Sequence, residues 1–165
     1  MALATGALTN LTLTPPEATA TGISYRELIA KRLFARFTAT PGFTTISRNY
    51  RHWTDVAPSE QPALFIRQVR QSNEQEKGIP TKWTFEFELA VYAHADNPDD
   101  VPTTIQNNLI DAVEYALRPD DWNTHCLTLG FTVSHCWING AIETDEGLLG
   151  QQTVALIPIT ILATI

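Results

Sequence analysis

Cysteines, long apolar runs and basic residues in the second half are all scarce in this sequence. The chain has two cysteines among 165 residues, too few for a disulfide framework, which predicts free thiols and synthesis in a cytosol. No apolar run approaches the roughly 20 residues that a bilayer-spanning helix requires. Residues 1–22 have no Lys or Arg before their weakly apolar stretch, so we expect no secretory signal and no membrane partner.

The sequence also lacks the short motifs that mark common catalytic and nucleotide-binding sites. It contains no P-loop, no G-x-G-x-x-G, no G-x-S-x-G and no H-E-x-x-H. The acidic stretch "ETDEG", 143–147, lacks the alternating ligands and the closing Glu of a calcium loop. We therefore predict no catalytic residue, no metal ligand and no cofactor.

Basic residues are almost confined to the first half of the chain. Residues 1–82 hold ten of the eleven Lys and Arg residues, whereas residues 83–165 hold twelve of the eighteen Asp and Glu residues. Either the fold mixes these charges into ordinary solvated faces, or a basic and an acidic surface coexist. Two such surfaces would attract copies of the chain head to tail, and closed contacts of that kind make rings. The net charge of −7 argues against broad nucleic-acid binding, because phosphate contacts need a cationic footprint.

Hydrophobic periodicity predicts an α+β fold with a mainly antiparallel or mixed sheet and two helices packed on one face. The clearest strand alternates strictly between apolar and mostly polar residues, and Ser24 and Glu27 have the spacing of a helix-capping box. Pro158 predicts a bulge or an edge in the last strand. The expected order is α-β-β-β-α-β-β, with helices at 23–38 and 101–117 and strands at 43–51, 63–70, 82–94, 130–138 and 153–165.

The segments outside these elements are assigned by composition. Residues 1–22 show no sustained period and a Pro-Pro pair, which predicts a flexible N-terminal arm ahead of a single domain over 23–165. The polar stretch 71–81 is expected to be a mobile loop. The stretch 141–151 is expected to be an acidic connection without regular structure.

A repeated His-Cys pair is the most conspicuous candidate for chemistry. His125-Cys126 and His135-Cys136 contain both cysteines of the chain. In a strand over 130–138, His135 and Cys136 point to opposite faces, so they cannot ligate one ion without distortion. The alternation places His135 with Trp137 on the apolar face and Cys136 on the other. We expect both pairs to be structural.

Two further catalytic arrangements stay open at this point. A thiolate–imidazole dyad would need His52 or His94 to approach a cysteine in the folded chain. Glu86 and Glu88 lie two residues apart on one strand face and have the spacing of paired carboxylates, although solvation or contacts to a neighbouring subunit also account for them.

Residue types typical of protein interfaces are concentrated in three segments. The stretch "RNYRHWTDV", 48–56, combines Arg, Tyr and Trp, which are enriched at interface hot spots. The polar loop 71–81 and the acidic connection 141–151 add charged residues of both signs. The candidate interface residues are Arg48, Tyr50, Arg51, Trp53, Asp55, Glu74, Lys77, Glu143, Asp145 and Glu146.

Two long stretches resemble a known family. "RHWTDVAPSEQPALF" and "HCWINGAIETDEGLLGQQTVALIPITIL", with the order of helices and strands over about 24–163, resemble phage tail-terminator proteins. These are lambda-like minor tail proteins that cap the tails of long-tailed phages. The resemblance implies a hexameric ring at the head-proximal end of the tail tube, which stops tube polymerisation and offers a surface to the head-side connector or stopper protein.

The same resemblance implies the partners and the location. The subunit would contact its own copies, the tail tube protein and the connector, while double-stranded DNA passes through the lumen without specific binding. The protein would reside in the virion neck and, during assembly, in the host cytoplasm. The alternatives are another neck or tail ring protein, a small α+β enzyme with His52, His94 or Cys126 in a buried polar pocket, and a monomeric adaptor domain.

Overall fold

Two helices and six strands form the part of the chain that this computed structural model describes, residues 24–97, 99–145 and 150–164. The predicted α+β class, with a mixed and mostly antiparallel sheet, is confirmed. The predicted 1–22 arm lies outside the described residues. The elements are α1 (Tyr25–Phe37), β1 (Thr45–Ser47), β2 (Ala63–Glu74), β3 (Lys82–His94), α2 (Pro102–Ala116), β4 (His135–Ile138), β5 (Glu143–Asp145) and β6 (Gln152–Thr164).

The sheet is built around the pairing of β3 with β6. These antiparallel strands keep one register from Lys82 opposite Thr164 to His94 opposite Gln152. The strand order is β1-β2-β3-β6-β4, with β5 also paired to β6. β1 runs parallel to β2, and the remaining pairings are antiparallel. The central position of β3 explains why it carries the clearest alternation in the sequence.

Alternation along β3 separates a helix-covered face from a second face. Phe85, Leu89 and Val91 are fully or almost fully buried and pack in one core with Leu33 of α1 and Val113 of α2. Both helices therefore cover the same face, as predicted. The residues between them, such as Ala90 and Tyr92, belong to a separate small cluster on the second face.

The start of α1 differs in one detail from the predicted capping box. Ser24 is the N-cap, and its hydroxyl accepts a hydrogen bond from the backbone N–H of Glu27 at 3.3 Å. The Glu27 carboxylate does not complete the box but pairs with Arg48, with one N–O distance of 2.8 Å. This ion pair joins the first turn of α1 to the segment that follows β1.

The first two strands differ from their predicted lengths. The predicted strand 43–51 shortens to Thr45–Ser47, because the chain turns away beyond Ser47, whose hydroxyl accepts from the Asn49 N–H at 3.0 Å. The predicted strand 63–70 extends to Glu74, because β3 pairs with β2 to its end at Lys82. The loop predicted over 71–81 therefore begins only after Glu74.

The first half of the predicted strand 130–138 is a turn. Leu129, Gly130 and Phe131 all have positive φ, which no strand accommodates. The carboxylate of Asp120 accepts hydrogen bonds from the N–H of Thr128 at 2.6 Å, the hydroxyl of Thr128 at 2.9 Å and the N–H of Gly130 at 3.0 Å. Because the Asp120 carboxylate binds backbone N–H groups that a strand would use, this segment forms a turn despite its strand-like alternation.

The C-terminal region contains a strand that the sequence analysis missed. Glu143–Asp145, placed in an unstructured acidic connection, pairs with Leu156–Val154 of β6. Pro158 causes no shift in the β3–β6 register. The predicted bulge is therefore wrong. Pro158 lies between the stretches of β6 that pair with β4 and β5, so its missing N–H falls at a local edge, where the partner strand changes.

The faces of β4 are the reverse of the prediction. Cys136 is 1 % exposed and packs in the main core beside Ile138, whereas His135 and Trp137 stack on the second face with ring centroids 4.7 Å apart. The error arises because the alternation was counted from Phe131, which belongs to the turn.

The two cysteines are expected to respond differently to substitution and labelling. Burial raises the pKa of the Cys136 thiol to about 12, whereas Cys126 is partly exposed. Cys136→Ser buries a hydroxyl in the core and should lower the free energy of unfolding by about 1–3 kcal/mol. Cys126→Ser should change it by less than about 0.5 kcal/mol. Urea denaturation measures both, and mass spectrometry should find maleimide only on Cys126; equal labelling would contradict the burial.

The hydrogen bonds of Asp120 predict a pH-dependent contribution to stability. Partial burial raises its pKa, but the bonds from Thr128 and Gly130 outweigh it and hold the pKa below the ordinary 3.8. This stability is present above that ordinary value and is lost as the pH falls towards the lower folded value. Asp120→Ala should lower the free energy of unfolding by about 1–3 kcal/mol near neutral pH and by less at about pH 3. Asp111→Ala, at an exposed site of α2, is the control; equal losses for both variants would contradict the assignment.

Candidate interaction surface

The second face of the sheet is covered at one end by the 48–60 segment. Val56 packs against Phe65, Ala90 and Tyr92 in a small buried cluster, and Trp53 packs beside it. The Phe65 and Tyr92 rings lie 5.5 Å apart. The segment therefore belongs to the folded body of the protein, with one side buried and the other available for contacts.

Arg51 anchors this segment. Its guanidinium donates two hydrogen bonds to the Glu60 carboxylate, at 2.8 and 3.2 Å, and lies 5.3 Å from the Phe65 ring centroid. The hydrogen bond from Arg51 and a second from the Ala57 N–H hold the pKa of Glu60 below its usual value. The Tyr92 hydroxyl donates to the Arg51 carbonyl at 3.0 Å. Burial, with the hydrogen bond to Tyr50, raises the pKa of Tyr92, which keeps this donor protonated.

A groove of about 510 Å³, here called the β5 groove, separates the 48–60 segment from β5. Aromatic side chains form one wall, apolar side chains of β6 contribute to the floor, and two carboxylates stand on the opposite side. Such a lining suits a cationic or aromatic side chain of a partner protein. The lining residues are Tyr50, His52, Trp53, Tyr92, Glu143, Thr144, Asp145, Val154 and Leu156.

Cross-strand ion pairs continue along the same face beyond the groove. Arg67 pairs with Glu88 at 2.7 Å, and Arg70 pairs with Glu86 at 2.8 Å. The Arg67 guanidinium also lies 5.1 Å from the Tyr50 ring centroid. Glu86 and Glu88 thus each bind an arginine of the neighbouring strand, which leaves neither as a free member of a carboxylate pair.

The structure brings four of the ten predicted interface residues together. Tyr50, Trp53, Glu143 and Asp145 line the β5 groove. Arg51 and Asp55 belong to the same segment, but Arg51 points to Glu60.

Three of the other four predicted residues do not line the β5 groove. Arg48 pairs with Glu27 of α1, while Glu74 ends β2 and Lys77 lies in the turn that follows. Glu146 lies outside the described residues.

The sequence analysis did not name several of the lining residues as individual interface candidates. His52 appeared only as a catalytic candidate, and Tyr92, Val154 and Leu156 were read simply as strand residues. The signal that could have found the last three is the β3–β6 register, which sets Tyr92 opposite Val154 and Ala90 opposite Leu156. Sequence alone does not reveal that register.

The His-Cys pairs do not converge on a shared site. Cys136 is in the core, His135 is on the second face, and His125 is exposed in the 118–134 loop near its neighbour Cys126. Of the histidines considered as partners for a thiolate, His52 lines the β5 groove and His94 ends β3. In the described part of the chain, no three His, Cys, Asp or Glu residues are grouped so that they could hold a metal ion.

Comparisons with known proteins do not assign this surface. No protein-family model matches the chain, and a search of the curated proteins finds no match. Neither helix in the described ranges is long and apolar enough to cross a membrane.

Removal of the Tyr92 hydroxyl should loosen the 48–60 segment. Tyr92→Phe leaves the Arg51 carbonyl without this donor and should lower the free energy of unfolding by about 1 kcal/mol. Tyr115→Phe is the matched control, because that tyrosine is 66 % exposed, and its change should stay within about 0.5 kcal/mol. Chemical denaturation measures stability, and hydrogen exchange of residues 50–56 reports loosening. Unchanged exchange in Tyr92→Phe would show that the hydroxyl does not anchor the segment.

Proposed function

We propose that this protein is a structural subunit of a phage virion, a tail terminator whose copies form a ring, with six members, at the head-proximal end of the tail tube. The observation that carries the proposal is the outer edge of β2. β1 covers this edge only as far as Phe65, and every residue of β2 from Arg67 to Glu74 is exposed. Within the described ranges no other strand pairs with that edge.

An uncovered strand edge of this length is a template for pairing with another chain. Monomeric proteins usually shorten, cover or interrupt such an edge. The register shift between Gln68 and Arg70 interrupts this one, but residues 70–74 remain in regular register with β3 and uncovered on the outer side. In a ring, a neighbouring subunit covers the edge of each member, and closure leaves no edge free. The β2–β3 hairpin is therefore suited to contacts between subunits or with the tube below them.

The distribution of charge on the helix-covered side supports contacts between unlike surfaces. α1 carries Arg26, Lys31, Arg32 and Arg36 against a single acid, Glu27. α2 carries only acidic charges, Asp111 and Glu114. Opposite charge on two neighbouring helices favours head-to-tail association over association of like faces.

Capping would follow from the asymmetry of such a ring. One face of the ring matches the repeating interface at the growing end of the tube, and the other face lacks that interface, so the next tube ring cannot add. The free face is then open to the head-side connector protein. The protein would act in the virion neck after assembly in the host cytoplasm.

DNA is expected to pass through the ring without specific contacts. The chain has a net charge of −7, and an acidic lumen repels the phosphate backbone and keeps it from adhering. Nothing in this mechanism requires a cofactor or a catalytic residue.

The interface role of Arg48 and Arg51 is tested by charge reversal with a compensated control. Arg48→Glu with Arg51→Glu should weaken ring formation or tube binding by about tenfold or more, because arginines at such sites contribute strongly to association. Both arginines also pair within the chain, with Glu27 and Glu60, so reversal alone perturbs the fold. Adding Glu27→Arg and Glu60→Arg restores both ion pairs with their charges exchanged.

Sedimentation and electron microscopy of tail tubes with each variant give the result. Loss of association in both the double and the compensated variant supports the interface role. Unchanged association in the double variant would show that the arginines are not at an interface. Full recovery in the compensated variant would show that they act only through the fold. Terminated tubes without a ring of this protein at their ends would contradict the proposed function itself.

A further inference from the structure

A second cavity lies on the opposite side of the molecule, between the C-terminal ends of α1 and α2. This helix-end pocket has a volume of about 470 Å³, and Arg36, Thr40, Tyr115 and Arg118 are among its lining residues. It is far in the fold from the β5 groove, because the sheet separates them. None of its residues was singled out in the sequence as a site.

The two arginines of the helix-end pocket have no acidic partner in an ion pair among the described residues. The Arg118 guanidinium lies 4.3 Å from the Tyr115 ring centroid. Arg36 uses one terminal nitrogen to donate to the Arg118 carbonyl at 3.0 Å. The nearby Asp120 carboxylate binds Thr128 and Gly130 and also attracts the Arg36 guanidinium electrostatically. Two arginines beside this one carboxylate leave the pocket with a net positive charge, in a protein that is acidic overall.

Buried polar atoms in the pocket lack partners. Thr40 is 9 % exposed, and its hydroxyl has no hydrogen-bond partner in the structure. The Arg36 Nε atom is also buried without a partner. Buried donors are almost always satisfied in native proteins, by the protein itself, by water or by a ligand. Both atoms are closed off from water, so they do not face the cavity, and the donors that remain for an anion are the terminal nitrogens of the two guanidinium groups.

A local role for the arginines explains only part of this arrangement. Cations near helix C-termini offset the partial negative charge of the helix ends. That role accounts for the Arg36 hydrogen bond to the Arg118 carbonyl. It does not require a cavity, and it does not account for the Arg118 guanidinium, which contacts the Tyr115 ring and pairs with no acidic residue in the described ranges.

Acidic residues gather at the other end of α2. Asp96, Asp99 and Asp100 lie in the turn before the helix, all exposed, and none takes part in an ion pair within the described residues. α2 has 15 residues and is therefore about 22 Å long. One molecule thus presents a cationic pocket and an anionic turn at opposite ends of a single helix.

We propose that the helix-end pocket binds the carboxylates of Asp96, Asp99 and Asp100 of a second copy of this chain, with the terminal guanidinium nitrogens of Arg36 and Arg118 as donors. This contact joins unlike surfaces, so each copy retains a free pocket or a free turn for the next, and the series closes as a ring. It rests on the proposed ring function and identifies one of the contacts between its subunits. Tyr115 shields the ion pairs from water at the mouth of the pocket.

Charge reversals on each side of the contact test it. Arg118→Glu should weaken self-association by about tenfold or more, and so should Asp99→Lys with Asp100→Lys. Each variant is the control for the other, because it changes one side of the contact and leaves the other side intact. Sedimentation velocity over a wide concentration range, with thermal melts to verify folding, measures the effects. Association should also weaken as salt rises.

Mixing the variants distinguishes this contact from a general charge effect. The Arg118→Glu chain keeps its turn, and the Asp99→Lys, Asp100→Lys chain keeps its pocket, so a mixture should form one-to-one pairs and nothing larger. A chain that carries all three changes exchanges the charges of pocket and turn and should self-associate again.

Three results in solution would overturn the proposal. The first is equal association of the Arg118→Glu and wild-type chains, and the second is assemblies larger than pairs in the mixture. The third is binding of inorganic phosphate, lost in Arg118→Glu, by a wild-type chain that stays monomeric. If Arg118→Glu chains still form rings on tail tubes, the proposed contact is wrong and the proposed function stands. If the wild-type chain neither associates nor caps tubes, both the contact and the function are wrong.

Discussion

The continuous pairing of β3 with β6 is the constraint on which the other features depend. Its register runs the full length of both strands, so the two faces of the sheet are set along the whole molecule. One face receives both helices and holds the main core. The opposite face receives the 48–60 segment at one end and is left open at the other. The free edge of β6 accommodates both β4 and β5, with Pro158 at the change of partner.

The sequence has a basic first half and an acidic second half, and the fold mixes their charges on one face of the sheet only. β2 of the first half pairs with β3 of the second half, so Arg67 and Arg70 form ion pairs with Glu88 and Glu86. On the helix side the halves remain apart, since α1 is mainly basic and α2 carries only acidic charges. The ordinary mixing of charges and the segregation of surfaces are therefore both present, on opposite faces of one sheet. The contacts that we propose between copies are therefore placed on the helix side.

The β5 groove and the helix-end pocket illustrate how one sheet produces two different recognition surfaces. The groove is aromatic with two carboxylates on its rim, whereas two arginines line the pocket. A cationic partner suits the first and an anionic partner suits the second. Because they lie on opposite sides of the sheet, occupation of one does not block the other. The ring subunit that we propose would contact its neighbours, a tube and a connector, and would need several such independent surfaces.

Local periodicity determined the helices, the β3 strand and the α+β class, because burial on one face repeats every two residues in a strand and about every 3.6 in a helix. The Arg, Tyr and Trp content of 48–56 predicts a contact surface, and this stays a prediction. Only the tertiary structure decided which of these residues meet Glu143 and Asp145, because that depends on a strand register with no local signature. The tertiary structure also decided that residues 129–131 form a turn, because the Asp120 carboxylate binds backbone N–H groups that a strand would have used. The helix-end pocket unites residues 36–41 and 112–119, segments whose proximity follows from packing on the sheet and from no pattern within either one.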